Sequence, residues 1–295
     1  MTLAAVSTMR AAVIGAARRA SVAEVEPPAV GPADVLVRIE GCGVCTSSVP
    51  LWEGRPWFDY PLAPGAPGHE GWGVVEAVGA EVDEPAPGRR VALLSGHAFA
   101  ELDVAPAAHC VSLPPELAGK PVPAEALGCA VNVFRRSGVV RAERVAVVGI
   151  GFLGSLLVQL CRAGGAEVHA VRRGDTPGGA FDCVIEAAGT QDALDVASRL
   201  VAERGRLVIA GYHQDGLRTI DLQSWNWRGL DVVNAHERDP AVYVAGMREA
   251  TALVAVGLLD PSPLYTHRFP LDRLDDAFEA ARTRPSGFVK ALVFP

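Results

Sequence analysis

The stretch Arg144–Ala163, RVAVVGIGFLGSLLVQLCRA, constrains the fold more than any other. Val145–Val148 is a short run rich in β-branched residues. It leads into Gly149-Ile150-Gly151-Phe152-Leu153-Gly154, after which Leu156, Leu157, Leu160 and Cys161 recur at helical spacing. A Gly-x-Gly-x-x-Gly that leaves a strand and opens a helix has the form of a phosphate-binding turn. Gly149 permits the tight turn, Gly151 lets the backbone approach a pyrophosphate, and Gly154 lets helix and strand pack closely. The N–H groups at the start of the helix, through Phe152 and Leu153, lack intrahelical partners and sit at a positive dipole end. A glycine-rich turn in an unrelated α/β protein is the bland alternative.

The surrounding pattern extends this unit. Glu167–Val171 reads as a second strand, Phe181–Ala187 and Arg206–Ala210 as further buried strands, and Asp192–Val201 as a helix between the last two. Such alternation argues a parallel sheet. Only nine residues, Arg172–Ala180, separate two strands that belong on opposite sides of the first. Nine residues reach ~30 Å when extended, and the return crossing needs roughly 20 Å. An extended link suffices, whereas a helix plus strand does not fit. The spacing therefore predicts a reduced sheet without the usual third strand. A further strand is expected within 225–236, a helix over 240–257, and a loop, helix and closing strand over 267–295.

Upstream, 1–120 read as a compact β-rich unit. Arg10–Ile14 and Asp34–Glu40 are strands, 49–67 is a loop rich in proline and aromatic residues, and Trp72–Val78 is a strand. A helix is expected over Ala124–Arg136. Residues 1–8 read as a loose tail before Met9, without the basic and apolar regions of a signal peptide, so a cytoplasmic protein is expected. With 34 acidic residues against 27 Lys and Arg and no basic run, nucleic acid is not an expected partner. No apolar stretch approaches the ~20 residues that span a bilayer.

Six cysteines in a chain of 295 residues do not make a disulfide framework; they suggest thiols or metal ligands. Cys45, His69 and Cys129 lie far apart in sequence, and each alone has an ordinary reading as a buried thiol or a hydrogen-bonded imidazole. Cys42-x-x-Cys45 is also compatible with half a zinc site or a redox pair.

Taken together, several motifs resemble the medium-chain dehydrogenase/reductase family of the zinc-dependent alcohol dehydrogenase type. They are Gly41-Cys42-Gly43-Val44-Cys45, Gly68-His69-Glu70 with the glycines and valines through Gly79, Leu127-Gly128-Cys129-Ala130-Val131, the turn at 149–154, and the ending around Gly287–Lys290. The resemblance covers nearly the whole chain. It implies an α/β architecture: a GroES-like β-rich catalytic domain (1–124), a reduced Rossmann-type parallel-sheet nucleotide domain (125–236), and a C-terminal segment (237–295) returning to the first. It further implies that Cys45, His69 and Cys129 hold a catalytic zinc, that Glu70 sits near the metal, and that Ser47 relays the substrate proton. A homodimer and a small-molecule alcohol or carbonyl substrate, with polyols and cyclitols included, follow from the same likeness.

Three departures stand out. Ser48 and Pro50 occupy positions where the family carries an Asp and a relay His. The four-cysteine lobe for a structural zinc is missing, since Cys110 is the only cysteine between His69 and Cys129; one zinc per chain is expected. At the end of the second strand, the acid that binds ribose hydroxyls in NAD sites is replaced by Arg172, with Arg173 beside it. Paired guanidiniums suit a 2′-phosphate, which favours NADP(H) over NAD(H). Two solvated arginines are the ordinary alternative, and Asp175 can fold back toward them. Trp52, Trp57, Phe58 and Trp72 are candidate pocket walls. The competing functional readings are a zinc-free quinone, enoyl or imine reductase of the same superfamily, and a non-catalytic cofactor-binding homologue.

Overall fold

The computed structural model describes residues 8–175 and 177–295; apart from Thr8, the expected N-terminal tail lies outside the described residues. Strands β1 (Met9–Ala16) and β2 (Arg19–Val25) pair antiparallel. The long strand β3 (Asp34–Gly43) runs on through the Gly41-Cys42-Gly43 motif to the edge of the site. Helix α1 (Val49–Glu53) occupies part of what reads in the sequence as a loop. Pro50 suits a first helical turn, and Gly54, with φ of 84°, ends the helix after one turn. Strands β4 (Glu70–Val78), β5 (Arg90–Leu93), β6 (Leu102–Pro106) and β7 (Cys110–Ser112) complete the first part of the chain.

Helix α2 (Ala124–Ser137) then leads to β8 (Arg144–Val148), α3 (Phe152–Ala163), β9 (Glu167–Val171), β10 (Phe181–Glu186), α4 (Gln191–Leu200) and β11 (Val201–Ile209). Helix α5 (Leu222–Arg228) precedes β12 (Asp231–Asn234). These strands form one parallel sheet in the order β12-β11-β10-β8-β9. The expected reduction is present: β9 is an edge strand, and among the described residues no helix or further strand lies between β9 and β10. Arg144 secures this crossing, donating its backbone N–H to Asp182 (2.9 Å) and its guanidinium to the Ala180 carbonyl (2.7 Å).

Helix α6 (Pro240–Ala255) packs along α2. Strand β13 (Tyr265–Pro270), helix α7 (Leu274–Thr283) and strand β14 (Lys290–Phe294) end the chain. The stretch read from sequence as a loop from residue 267 is thus a strand, because it pairs in parallel with β14. Both join a seven-stranded sheet of order β13-β14-β3-β4-β5-β7, with β6 also on β3. In this register β14 sets Leu292 opposite Gly43 of β3, and β3 sets Gly43 opposite Glu70 of β4. Residues from three remote parts of the chain are therefore brought to one end of the sheet.

Two of the aromatic residues read as pocket walls belong to the core. Trp52 is 3% exposed and stacks on Phe278 of α7 at 5.7 Å, and its Nε1 donates to Asp275 (2.7 Å). Trp72 is 2% exposed and lies across Gly41, where an added Cβ would come within 2.4 Å of its ring. Trp57, 63% exposed, and the half-buried Phe58 beside it, at 5.9 Å between ring centroids, retain positions open to a ligand.

Candidate active site

The chain emerges from β3 at Cys45 and enters β4 at Glu70, so Cys45, His69 and Glu70 meet where the two strands adjoin. One sulfur, one ring nitrogen and one carboxylate oxygen lie within 4.8 Å of one another. His69 Nδ1 is 3.0 Å from the Pro67 carbonyl, which can only accept, so Nδ1 carries a hydrogen and Nε2 is the ring nitrogen left for the cluster. Ser48, standing where the family carries an Asp, lies at the margin of this contact, its Oγ 3.5 Å from Nδ1. The orientation of the imidazole is thus supplied by a backbone carbonyl. Burial opposes the imidazolium, but the hydrogen bond and charge of Cys45, with Glu125 and Glu70 behind it, lift His69 to about 10. The cluster favours a cation at this point.

Glu70 is 1% exposed and its partner was not evident in the sequence. Lys290 of β14 places Nζ 2.6 Å from Oε1, and both side chains are buried. Burial lowers the ammonium of Lys290, but the Glu70 carboxylate more than offsets this and holds it raised. Oε2 of Glu70 is buried with no partner. Gly43 makes the approach possible, because a Cβ there would fall 1.8 Å from that oxygen. An unpartnered carboxylate oxygen beside a thiol and an imidazole fits a metal of the zinc type in donor chemistry.

Cys129 stands outside this group of three. It lies on α2, and its Sγ donates to Oε1 of Glu125, one turn earlier, at 3.2 Å. Burial first, then the charge of Glu125, raises the thiol well above its ordinary value, with Cys45 and Glu70 adding to the effect. Burial likewise raises Glu125. The Tyr243 hydroxyl on α6 also faces the Cys129 sulfur, and burial raises it. Glu125 and Tyr243 were missed by the sequence reading. The i, i+4 spacing of Glu125 and Cys129 on an expected helix was the signal available for the first; nothing local marks the second.

Ser47 donates its hydroxyl to Cys45 Sγ at 3.0 Å, which places it beside the cluster. Cys42, by contrast, is 1% exposed in the hydrophobic core and donates to the Gly43 carbonyl (3.4 Å). All six cysteines are free thiols, so Cys42 and Cys45 do not form a disulfide.

The glycine turn is formed as expected. Gly149 has φ of 96°, and a Cβ on Gly154 would fall 2.0 Å from the Gly149 carbonyl oxygen. Gly151 is the residue before α3, and the first helical bond runs from Ser155 N to the Gly151 carbonyl. The N–H groups of Phe152, Leu153 and Gly154 have no backbone partner among the described residues. The Phe152 ring turns toward the metal-type cluster, with Lys290 Nζ 4.8 Å from its centroid. Arg172 and Arg173 are exposed at the end of β9, and neither guanidinium makes an ion pair among the described residues. Asp175 does fold back, but its carboxylate accepts the backbone N–H of Arg172 (2.8 Å).

Residues 31–116 match the family described as alcohol dehydrogenase GroES-like domain. The chain is 33% identical over 246 residues to an alcohol dehydrogenase of Geobacillus stearothermophilus, covering 72% of this chain and 66% of that relative. It is 25% identical over 315 residues to human sorbitol dehydrogenase, covering 85% of this chain and 87% of the relative. Among solved structures, a zinc-binding dehydrogenase from Sinorhizobium meliloti 1021 bound to NADP matches with a TM-score of 0.84 at 26% identity, covering 98% of this chain and all of that one. The fold is also that of 2R,3R-butanediol dehydrogenase from Bacillus subtilis, with a TM-score of 0.82 at 23% identity over 97% of this chain and 99% of that one.

Proposed function

Because the chain belongs to the medium-chain dehydrogenase/reductase family of the zinc-type alcohol dehydrogenases, we propose that it is a zinc-dependent oxidoreductase moving hydride between NADP(H) and a small alcohol or carbonyl compound. Its relatives are alcohol and sorbitol dehydrogenases, and a nicotinamide cofactor is bound in the Sinorhizobium structure. The observation that carries it is the convergence of Cys45, His69 and Glu70 beside the Ser47 hydroxyl.

In this reading Cys45, His69 and Cys129 hold the zinc, with Glu70 next to it. Cys129 then exchanges its hydrogen bond to Glu125 for the metal, and its thiol gives up a proton on binding. Zinc there would supply Lewis acidity toward a substrate oxygen, and the nicotinamide the hydride acceptor or donor. Ser47 orients the substrate oxygen and exchanges its proton. With Pro50 in place of a relay His, that proton leaves through water or the cofactor ribose. Phe152, Leu153 and Gly154 would present backbone N–H groups to a pyrophosphate, and Gly149 and Gly151 would let the chain approach it closely. Arg172 and Arg173, adjacent and without an ion pair among the described residues, suit the 2′-phosphate of NADP(H). A preference for NADPH favours the direction of carbonyl reduction.

We also place a homodimer contact at the exposed edge of the parallel sheet. Strand β12 has an open edge, and Leu222, Trp227 and Val232 beside it are 65%, 88% and 40% exposed.

The test is zinc content and NADPH binding on wild-type protein and on the Cys45→Ala, Cys129→Ala and Glu70→Gln variants. One zinc per chain, lost in both cysteine variants and kept in Glu70→Gln, is the expected result. Retention in Cys129→Ala with loss in Glu70→Gln would reassign the third ligand to Glu70. Wild-type protein isolated without chelator and lacking zinc would refute the metal reading.

A further inference from the structure

Beyond β11 the chain runs through residues 211–219 before reaching α5, and this loop is fixed from behind. Glu186, fully buried at the end of β10, accepts the backbone N–H groups of Ala188 and Gly189 on Oε1 (2.8 and 2.7 Å). Its Oε2 meets Nε2 of His213 at 3.0 Å. Arg218 donates Nε to Nδ1 of His213 (2.8 Å) and a terminal nitrogen to the Gly189 carbonyl (2.8 Å), and it pairs with Asp215. A guanidinium only donates, so Nδ1 is the acceptor and Nε2 carries the hydrogen given to Glu186. His213 is therefore held in one orientation.

The next residue reaches the other way. Gln214 donates Nε2 to the carbonyl of Thr46 at 3.1 Å, across a sequence separation of 168 residues. Thr46 lies between Cys45 and Ser47, in the turn closed by the Ser48 N–H on the Cys45 carbonyl (3.1 Å). A carbonyl only accepts, which settles the orientation of the amide. Oε1 of Gln214 is then buried without a partner. Leaving a buried acceptor unpaired offsets what one hydrogen bond contributes, so this contact is close to balance by itself. Lifting the loop would return Oε1 to water.

We propose that Gln214 is a latch between the loop after β11 and the turn after β3: a positioning residue that holds the Thr46 carbonyl, and with it Cys45 and Ser47, while the 211–219 loop is down. The loop packs through Tyr212 against Gly189, and Ala188 packs against Gly149 of the glycine turn, so a cofactor seated on that turn would hold the contact in its closed form and order the turn that carries the reacting groups. The functional part of this rests on the assignment of Cys45 and Ser47 given above; the structural coupling does not.

Hydrogen–deuterium exchange on the whole protein, with and without NADPH, tests it in Gln214→Met and Gln214→Glu. The first removes both polar atoms at similar volume, and the second sets a carboxylate against the carbonyl. In wild type, NADPH slows exchange in peptides covering 45–49 and 211–219 together. In both variants the loop keeps its protection, while exchange at 45–49 becomes about ten-fold faster. The kcat of carbonyl reduction falls by a similar factor, with the KM for NADPH within about two-fold. Exchange at 45–49 that matches wild type in both variants overturns the latch, and so does a loss confined to 211–219. Zinc content of the same wild-type sample judges the metal reading separately, because exchange reads backbone amides whether or not zinc is present.

Discussion

Lys290→Met isolates the buried pair that ties the last strand to Glu70 of β4. Nζ and Oε1 of Glu70 are 2.6 Å apart, with side chains 6% and 1% exposed. At that separation the attraction is about 6 kcal/mol for an effective dielectric constant near 20, and much of it offsets the desolvation of both ions. Methionine keeps the length and apolar stem of lysine but leaves Glu70 with neither oxygen paired, since Oε2 already lacks a partner. Removing one member of a buried pair costs about 3–5 kcal/mol, and loss of the contact with the Phe152 ring adds up to about 1 kcal/mol. Glu70→Gln alone strands the ammonium and falls in the same range. The double variant Glu70→Gln/Lys290→Met removes both charges and is expected to recover most of the loss. The assay is urea unfolding followed by far-UV circular dichroism on chelator-treated protein, which removes any contribution from bound metal. A cost below about 1 kcal/mol for Lys290→Met, or a double variant whose loss is the sum of the singles, would refute the argument that this pair is an obligate unit.

Other consequences are equally direct. Arg172→Ala and Arg173→Ala should each weaken NADPH binding by roughly 10- to 100-fold, the value of a charge-assisted hydrogen bond, and leave NADH binding within two-fold; fluorescence titration decides, and equal losses for both cofactors would place the arginines outside the phosphate site. Gly154→Ala sets a Cβ 2.0 Å from the Gly149 carbonyl oxygen, so cofactor binding should vanish while α3 remains helical; unaltered NADPH affinity would contradict the glycine assignment. Burial lifts the Cys110, Cys161 and Cys183 thiols to about 12. Their folded values exceed those of the unfolded chain, so the stability they contribute is complete below about pH 9 and declines as the pH rises toward 12. At pH 10 this amounts to about 1.4 kcal/mol per thiol, and comparison of unfolding at pH 8 and pH 10 should show less loss for Cys161→Ala than for wild type. Trp227→Lys should shift any dimer toward monomer in sedimentation without altering zinc content, and an unchanged mass distribution would move the contact elsewhere.

The local features of this protein were legible in its sequence because their physics is local. A strand, a glycine turn and a helix within twenty residues specify the β8–turn–α3 unit with little help from the rest of the chain. The short link between β9 and β10 fixes the reduced sheet by length alone. The family motifs at 41–45, 68–70 and 127–131 named Cys45, His69 and Cys129, and the first two do meet.

The remainder depended on which strands become neighbours. Lys290 reaches Glu70 only because β14 pairs with β3 beside β4, joining residues 220 apart. Gln214 reaches Thr46 because the loop after β11 is braced toward the metal-type turn by Glu186, His213 and Arg218. The imidazole of His69 is oriented by the Pro67 carbonyl, a backbone group that no motif encodes. Trp52 and Trp72, which composition offers as pocket walls, are taken into the core by Phe278 and Gly41. Sequence patterns report the backbone propensity and side-chain chemistry of each segment. Register and long-range packing arise only when the sheets assemble, and they decide which buried charges are paired and which groups face the reaction.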